Sequence, residues 1–128
     1  MTELKFPTGF YWGSSTSGPQ SEGRVPGDGK GDNVWDYWFE KEPERFFDDV
    51  GPGKASTFYT NYKDDIKFLK QTGHNIFRTS IQWSRLIPDG DSEINEQAVE
   101  FYRDVFQRVK DEGIKVYANL YHFDLPMN

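Results

Sequence analysis

The 128-residue sequence contains no cysteine, which excludes disulfide bonds and thiolate chemistry. It has no run of the roughly 20 apolar residues that a membrane-spanning helix needs, and its first residues lack the charged start and apolar stretch of a signal peptide. No segment concentrates lysine and arginine, and the net charge is −6. We therefore expect a soluble cytoplasmic protein that binds neither membrane nor nucleic acid.

Two cofactor signatures are also missing from the sequence. The first predicted strand is not followed by the G-x-G-x-x-G loop of dinucleotide-binding folds. No group of histidine and acidic residues has the spacing of metal ligands. We expect no metal and no other cofactor.

Aromatic residues, in contrast, are abundant, at 17% of the chain. Most should pack in a core, although aromatic rings also stack on sugar faces. Trp12 is expected in the core, whereas Trp35 and Trp38 belong to a long Gly-, Pro- and Asp-rich loop over residues 24–56. Within that loop, residues 33–39 are expected to form one or two helical turns, and a loop of this length in a compact domain is usually functional.

The remaining sequence alternates between strand and helix patterns. Strands are predicted at residues 9–13, 75–81 and 114–121, and helices at residues 57–72 and 96–112. The first helix has an apolar stripe at spacings of three and four, and glycines stand where both helices should end. Asn95 is placed to cap the second helix. The core-facing residues of the two helices are Phe58, Tyr62, Ile66, Leu69, Ala98, Val99, Tyr102, Val105, Phe106 and Val109.

This alternation predicts an α/β fold with a parallel sheet, either an open doubly wound sheet or a TIM barrel. Gln20, Arg78 and His122 cluster towards the carboxyl ends of strands, the face where barrel active sites lie, which favours the TIM (β/α)8 barrel. A whole barrel takes about 250 residues. We therefore expect residues 1–128 to be the N-terminal portion of one barrel domain, with only the first three strands and two helices.

Four stretches together resemble glycoside hydrolase family 1, whose fold is the (β/α)8 barrel. They cover most of the chain in order: FYWGSSTSGPQSEG at residues 10–23, YKDDI through Gly73, FRTSIQWSRLIP at residues 77–88, and residues 113–126 ending in YHFDLP. Pro19 stands where the family usually has an aromatic residue, His or Asn, and Phe123 where members acting on unphosphorylated glucosides usually have Trp. The run ending in Gly18-Pro19-Gln20, together with Phe123, is more similar to the bacterial 6-phospho-glycosidases; the 6-phospho-β-glucosidases are the expected branch, although the sequence does not distinguish a glucoside from a galactoside.

The resemblance implies roles for three substrate-binding candidates. Gln20 and His122 match residues that bind sugar hydroxyls, and a side-chain amide suits this task because it both donates and accepts. The alternative for Gln20 is a side chain that satisfies loop backbone, and without the resemblance His122 would be read as a core residue, as a lone histidine more often is. Phe123 is either an apolar wall beside the sugar or barrel packing.

The resemblance also separates supporting residues from catalytic ones. Arg78 matches an arginine that lies against the catalytic nucleophile, and the alternative is an ordinary barrel ion pair. Retaining glycosidases use two carboxyl groups about 5–5.5 Å apart. Glu22 and Asp124 invite this assignment, but both match structural positions. The family's Asn-Glu-Pro and Glu-Asn-Gly catalytic motifs do not occur here, so no catalytic residue is expected in this chain.

The resemblance implies retaining hydrolysis of 6-phospho-β-glucosides by a longer parent enzyme, with a small phosphorylated sugar as partner. The phosphate-binding residues of that branch come from a later loop. Plain β-glucosidase is the alternative within the family. Two alternatives lie outside catalysis: a truncated chain that associates through exposed sheet edges, and a sugar-binding module.

Overall fold

The computed structural model describes residues 4–91 and 93–127. Three strands form one parallel sheet in the order β1-β2-β3: β1 (Gly13–Ser15), β2 (Ile76–Ser80) and β3 (Lys115–Asn119). The described helices are α1 (Gly18–Ser21), α2 (Val34–Lys41), α3 (Phe58–Gln71), α4 (Trp83–Leu86) and α5 (Glu96–Asp111), with 3-10 turns at Pro43–Arg45 and Phe47–Asp49. None of them is long and apolar enough to cross a bilayer.

The two long helices confirm the prediction made from apolar periodicity. Helix α3 buries Phe58 and Ile66, and Tyr62 and Leu69 pack against the same core. Helix α5 buries five residues of its apolar face, and its cap residue Asn95 accepts a hydrogen bond from the Gln97 amide at 3.1 Å. Gly73 and Gly113 follow the two helices with φ of 79° and 74°, the left-handed conformation that ends a helix and favours glycine.

The core lies on one face of the sheet, between the strands and the two long helices. Phe77 of β2 pairs in register with Val116 of β3, and both pack against the helices. The next pair, Arg78 and Tyr117, points to the opposite face because side chains alternate along a strand. Tyr117 is 66% exposed there. This opposite face is the one that lines the interior when strands of this kind close into a barrel.

The prediction of a buried strand at residues 9–13 was wrong. The strand is Gly13–Ser15, and all three of its residues are exposed. Trp12, expected in the core, is 49% exposed and packs its ring 4.8 Å from that of Phe10. The reason is position: β1 forms an edge of the sheet, and the buried apolar cluster begins only at Phe58.

The long loop after β1 is ordered by polar contacts, and the helical turns predicted within it form helix α2. The Asn33 side chain accepts hydrogen bonds from the Trp35 and Asp36 amides, and Asp36 accepts one from the Asn33 amide, which is a capping box. Lys30, 7% exposed, forms an ion pair of 2.6 Å with Asp36. After the 3-10 turns the loop returns to its start, where the Arg24 amide donates to the Gly53 carbonyl at 2.7 Å and Ser56 Oγ donates to the Ser21 carbonyl at 3.1 Å.

Helix α3 joins β1 to β2, and helix α5 joins β2 to β3. Each unit is thus a strand followed by a helix and a parallel neighbouring strand, the repeat from which both barrels and open α/β sheets are built. The order β1-β2-β3 follows the chain without a reversal, as in a barrel.

Candidate functional site

Gln20 is held near the carboxyl end of β2 by a close approach of α1 to that strand. The Gly18 amide donates to Ser80 Oγ at 2.8 Å. A Cβ atom at Gly18 would lie 2.2 Å from the Gln82 side chain, so only glycine permits this approach. Gln20 itself is exposed, and its Oε1 accepts from Ser17 Oγ at 2.7 Å. Its amide nitrogen has no partner among the described residues and can donate to a ligand.

His122 follows β3 and is fixed from two sides. Its main-chain amide donates to Asp124 Oδ1 at 3.0 Å, which closes a tight turn after the strand. Its ring Nδ1 lies 3.1 Å from Arg78 Nη2 and 3.3 Å from Asn119 Nδ2. These contacts orient the imidazole and leave Nε2 as the ring atom available to a ligand.

Phe123 adopts a backbone conformation that is costly for its residue type. Its φ is 58°, in the left-handed region that bulky residues seldom occupy. Its side chain is 64% exposed, and its ring lies 5.3 Å from that of His122 in an edge arrangement. Strain of this kind is concentrated at ligand sites.

Gln20, His122 and Phe123 line one cleft of about 490 Å³, which is within the range of small-molecule sites. Its polar side consists of Ser17, Gln20 and His122. The apolar lining comes mainly from the long loop: Trp35, Phe46, Val50, Pro52 and Ala55. The cleft thus combines a few polar groups with a largely apolar and aromatic lining, the usual make-up of a small-molecule site.

Arg78 lies beside the cleft and forms no ion pair within residues 4–91 and 93–127. Its Nη1 donates to the Thr16 carbonyl at 2.8 Å, and its Nη2 contacts His122. The guanidinium has five N–H groups, so further donors remain for an acidic group. Arg78, in the middle of the central strand β2, therefore has N–H groups that are not hydrogen-bonded to the described residues.

Glu22 is buried in a network of donors away from the cleft. Its Oε2 accepts from Arg85 Nε at 2.6 Å and from Gln82 Nε2 at 2.7 Å, and its Oε1 accepts from the Tyr102 hydroxyl at 2.9 Å. Burial raises the pKa of Glu22, and the Arg85 charge opposes that rise. Asp124 is likewise fully buried, with its second oxygen accepting from the Trp83 amide at 2.7 Å. These bonds hold Glu22 and Asp124 in structural positions.

Sequence reasoning missed Arg85, the centre of this network. Its side chain is fully buried and also donates to Asp28 at 2.9 Å and to the Gly23 carbonyl at 2.6 Å. Burial acts to raise the pKa of Asp28, but amide donors of the loop together with Arg85 hold it below its usual range. The available signal in the sequence was an arginine next to apolar residues, together with acidic residues in the long loop that had no assigned role. Which acid pairs with Arg85 depends on the tertiary fold, so the sequence alone does not give the pairing.

The fold and the position of the cleft define a class, the α/β proteins whose sites are built from the loops that follow parallel strands. The sequence profile described as glycosyl hydrolase family 1 matches residues 2–128. The chain belongs to glycosyl hydrolase family 1. The barrel prediction is thereby confirmed, and the open doubly wound alternative is not what this chain forms.

Individual relatives are similar over nearly the whole chain. The 6-phospho-beta-glucosidase GmuD of Bacillus subtilis is 57% identical over 98% of this chain and 27% of that protein. Beta-glucosidase 4 of Oryza sativa is 43% identical over the full chain and 26% of that protein. The solved structure of an aphid myrosinase superposes with a TM-score of 0.88 at 32% identity, over 96% of this chain and 27% of its own. The chain thus spans about a quarter of the length of these relatives.

Proposed function

We propose that this chain is the N-terminal portion of a barrel enzyme that hydrolyses the β-glycosidic bond of 6-phospho-β-glucosides with retention of configuration. The observation that carries the proposal is the 57% identity to a 6-phospho-beta-glucosidase, against 43% to a beta-glucosidase, over nearly all of the chain. Phe123 at the cleft rim supports the phosphorylated branch. The enzyme would act in the cytoplasm and would need no cofactor.

In this proposal the chain supplies glycon recognition. The free amide nitrogen of Gln20 and the ring Nε2 of His122 face a shared cleft and would bind neighbouring hydroxyls of one sugar. Phe123 would form an apolar wall beside the ring. The remaining N–H groups of Arg78 would hold the nucleophilic carboxylate ionised and in place. Hydrolysis would proceed by double displacement through a covalent glycosyl-enzyme.

The two catalytic carboxyl groups would come from beyond these 128 residues. Glu22 and Asp124, the acids that follow the first and third strands, have their oxygens engaged by scaffold donors. We therefore expect the 128-residue chain alone to show no turnover.

The exposed β1 and β3 edges would also let the isolated chain associate with other chains. Sedimentation at rising protein concentration would show this association as an increasing mean mass.

The proposal is tested by a paired assay on the longer protein. A chromogenic β-glucoside and its 6-phosphate are compared by kcat/KM, with the 128-residue chain assayed beside them as a blank. Preference for the phosphate by at least about tenfold, corresponding to about 1.4 kcal/mol, is the expected result. Preference for the free glucoside would leave the family unchanged and assign the enzyme to plain β-glucosidase, the second candidate favoured by the Oryza sativa relative. Turnover by the 128-residue chain would contradict the assignment of catalysis to later residues.

A further inference from the structure

The tautomer of the His122 ring, that is, which ring nitrogen carries the hydrogen, is set first by the group that faces Nδ1. Arg78 Nη2 lies 3.1 Å from this atom, within hydrogen-bonding distance. A guanidinium carries only N–H donors and no acceptor. The hydrogen bond therefore requires the lone pair of Nδ1, and a hydrogen on Nδ1 would oppose the Arg78 donor.

The second neighbour of Nδ1 is also a hydrogen-bond donor and favours the same tautomer. Asn119 Nδ2 lies 3.3 Å from Nδ1 and also donates to the Tyr121 carbonyl at 3.1 Å. The carbonyl contact fixes which end of the Asn119 amide faces the histidine, because a carbonyl oxygen accepts only from the NH₂ group. Two donors thus converge on one ring nitrogen, and they come from β2 and from the end of β3.

The other ring nitrogen of His122 is left for the cleft. Nε2 has no hydrogen-bond partner among the described residues, and His122 lines the cleft beside Gln20. A neutral imidazole carries one hydrogen, and when Nδ1 accepts, that hydrogen resides on Nε2. The ring therefore offers the cleft a donor.

We propose that Arg78 is a positioning residue for His122: it locks the imidazole in the neutral Nε2–H tautomer, so that the cleft presents a fixed N–H donor to an oxygen of its ligand. That the ligand oxygen is a sugar hydroxyl rests on the proposed function; the tautomer itself does not. His122 then recognises a hydroxyl through its lone pair, while Gln20 offers both a donor and an acceptor.

The test is a long-range ¹H–¹⁵N correlation spectrum of the 128-residue chain labelled at histidine and recorded at neutral to mildly alkaline pH. The chain has only two histidines, so His74 provides an internal reference. The expected spectrum shows His122 with an unprotonated Nδ1 and a protonated Nε2. In Arg78→Met the single-tautomer pattern should be lost, and the ¹⁵N chemical shifts of the two ring nitrogens should become more alike. Arg78→Lys keeps a donor and a charge and should therefore retain part of the single-tautomer pattern.

A wild-type spectrum with the hydrogen on Nδ1, or with an imidazolium at these pH values, overturns the proposal without recourse to any variant. So does an Arg78→Met spectrum identical to that of the wild type. Ser15→Ala is the matched control, since Ser15 contacts the other guanidinium nitrogen at 3.4 Å and should leave the His122 pattern unchanged. The spectrum requires no substrate, so its outcome is independent of the paired assay. The tautomer assignment can be wrong while the preference for the phosphorylated substrate is observed, and the assignment can be right while that preference is not observed.

Discussion

At the scale of single residues, the structure divides the polar side chains into those that face the cleft and those that build its frame. Gln20 and His122 each keep a ring or amide nitrogen free, whereas Arg85 uses its guanidinium entirely within the protein. Family resemblance predicts the cleft residues from the sequence alone. It does not predict Arg85, because a buried ion network becomes visible only when residues 57 to 63 positions apart meet.

Replacing Arg85 tests that frame. Arg85→Lys keeps the charge but cannot reproduce three directed hydrogen bonds, nor the stacking of the guanidinium 4.0 Å above the Tyr59 ring. We expect a loss of about 3 kcal/mol in the free energy of unfolding, since a buried acid is left poorly compensated. Urea unfolding followed by circular dichroism measures it. Arg103→Lys, at an exposed position on α5, is the matched control and should change the free energy by less than about 0.5 kcal/mol. Equal effects of the two variants would contradict the account.

At the scale of elements, prediction succeeded where one apolar face repeats over many residues and failed where the element is short. Helices α3 and α5 have long stripes and capping signals, and both were placed within about two residues of their ends. The first strand was misplaced because three residues are too few to show an alternating apolar pattern, and because the neighbouring aromatic run resembled a buried strand. Its aromatic rings pack on each other at the surface instead.

The pairing of α3 with α5 gives a prediction that depends on pH. Tyr62 of α3 donates to Asp104 of α5 at 2.6 Å, and Arg108 Nε donates to the same carboxylate oxygen at 2.7 Å. Burial, together with the Asp104 hydrogen bond, raises the pKa of Tyr62 from its usual 10.0 to about 12. Because folding raises the pKa of Tyr62, its contribution to the free energy of unfolding is present in full below pH 10 and is lost as the pH rises towards 12.

We therefore expect Tyr62→Phe to lower the free energy of unfolding by about 1 kcal/mol at neutral pH. The difference from wild type should disappear between pH 10 and 12, the interval set by the shift. Urea titrations at stepped pH measure this difference, in which the contributions of the other tyrosines cancel. Tyr117→Phe, at a residue 66% exposed, controls for loss of a phenolic hydroxyl. A wild-type advantage that persists undiminished at pH 12 would show that the hydroxyl hydrogen bond is not its source.

At the scale of the whole molecule, the parallel sheet brings together residues that are about 100 positions apart in the sequence. Gln20 follows the first strand and His122 the third, and they meet in one cleft because the carboxyl ends of parallel strands share an edge. The barrel order and this juxtaposition could be predicted from strand order and resemblance. The apolar wall from residues 46–55 could not, because its path depends on 3-10 turns and on left-handed residues such as Asp48 and Ala55 that no periodicity signals.

The most direct test of the central claim, that this cleft binds the sugar, is the kcat/KM of the longer enzyme for a 6-phospho-β-glucoside after Gln20→Ala. The variant loses a donor and an acceptor to substrate hydroxyls, so kcat/KM should fall roughly 10- to 100-fold. This fall corresponds to a loss of about 1.4–3 kcal/mol of transition-state stabilisation by hydrogen bonds. Gln107→Ala makes the same change on the exposed face of α5, where Gln107 donates to Asp111 at 2.7 Å, and should leave kcat/KM within about twofold of wild type. An unchanged kcat/KM for Gln20→Ala, with the folded structure intact, would contradict the placement of the sugar in this cleft.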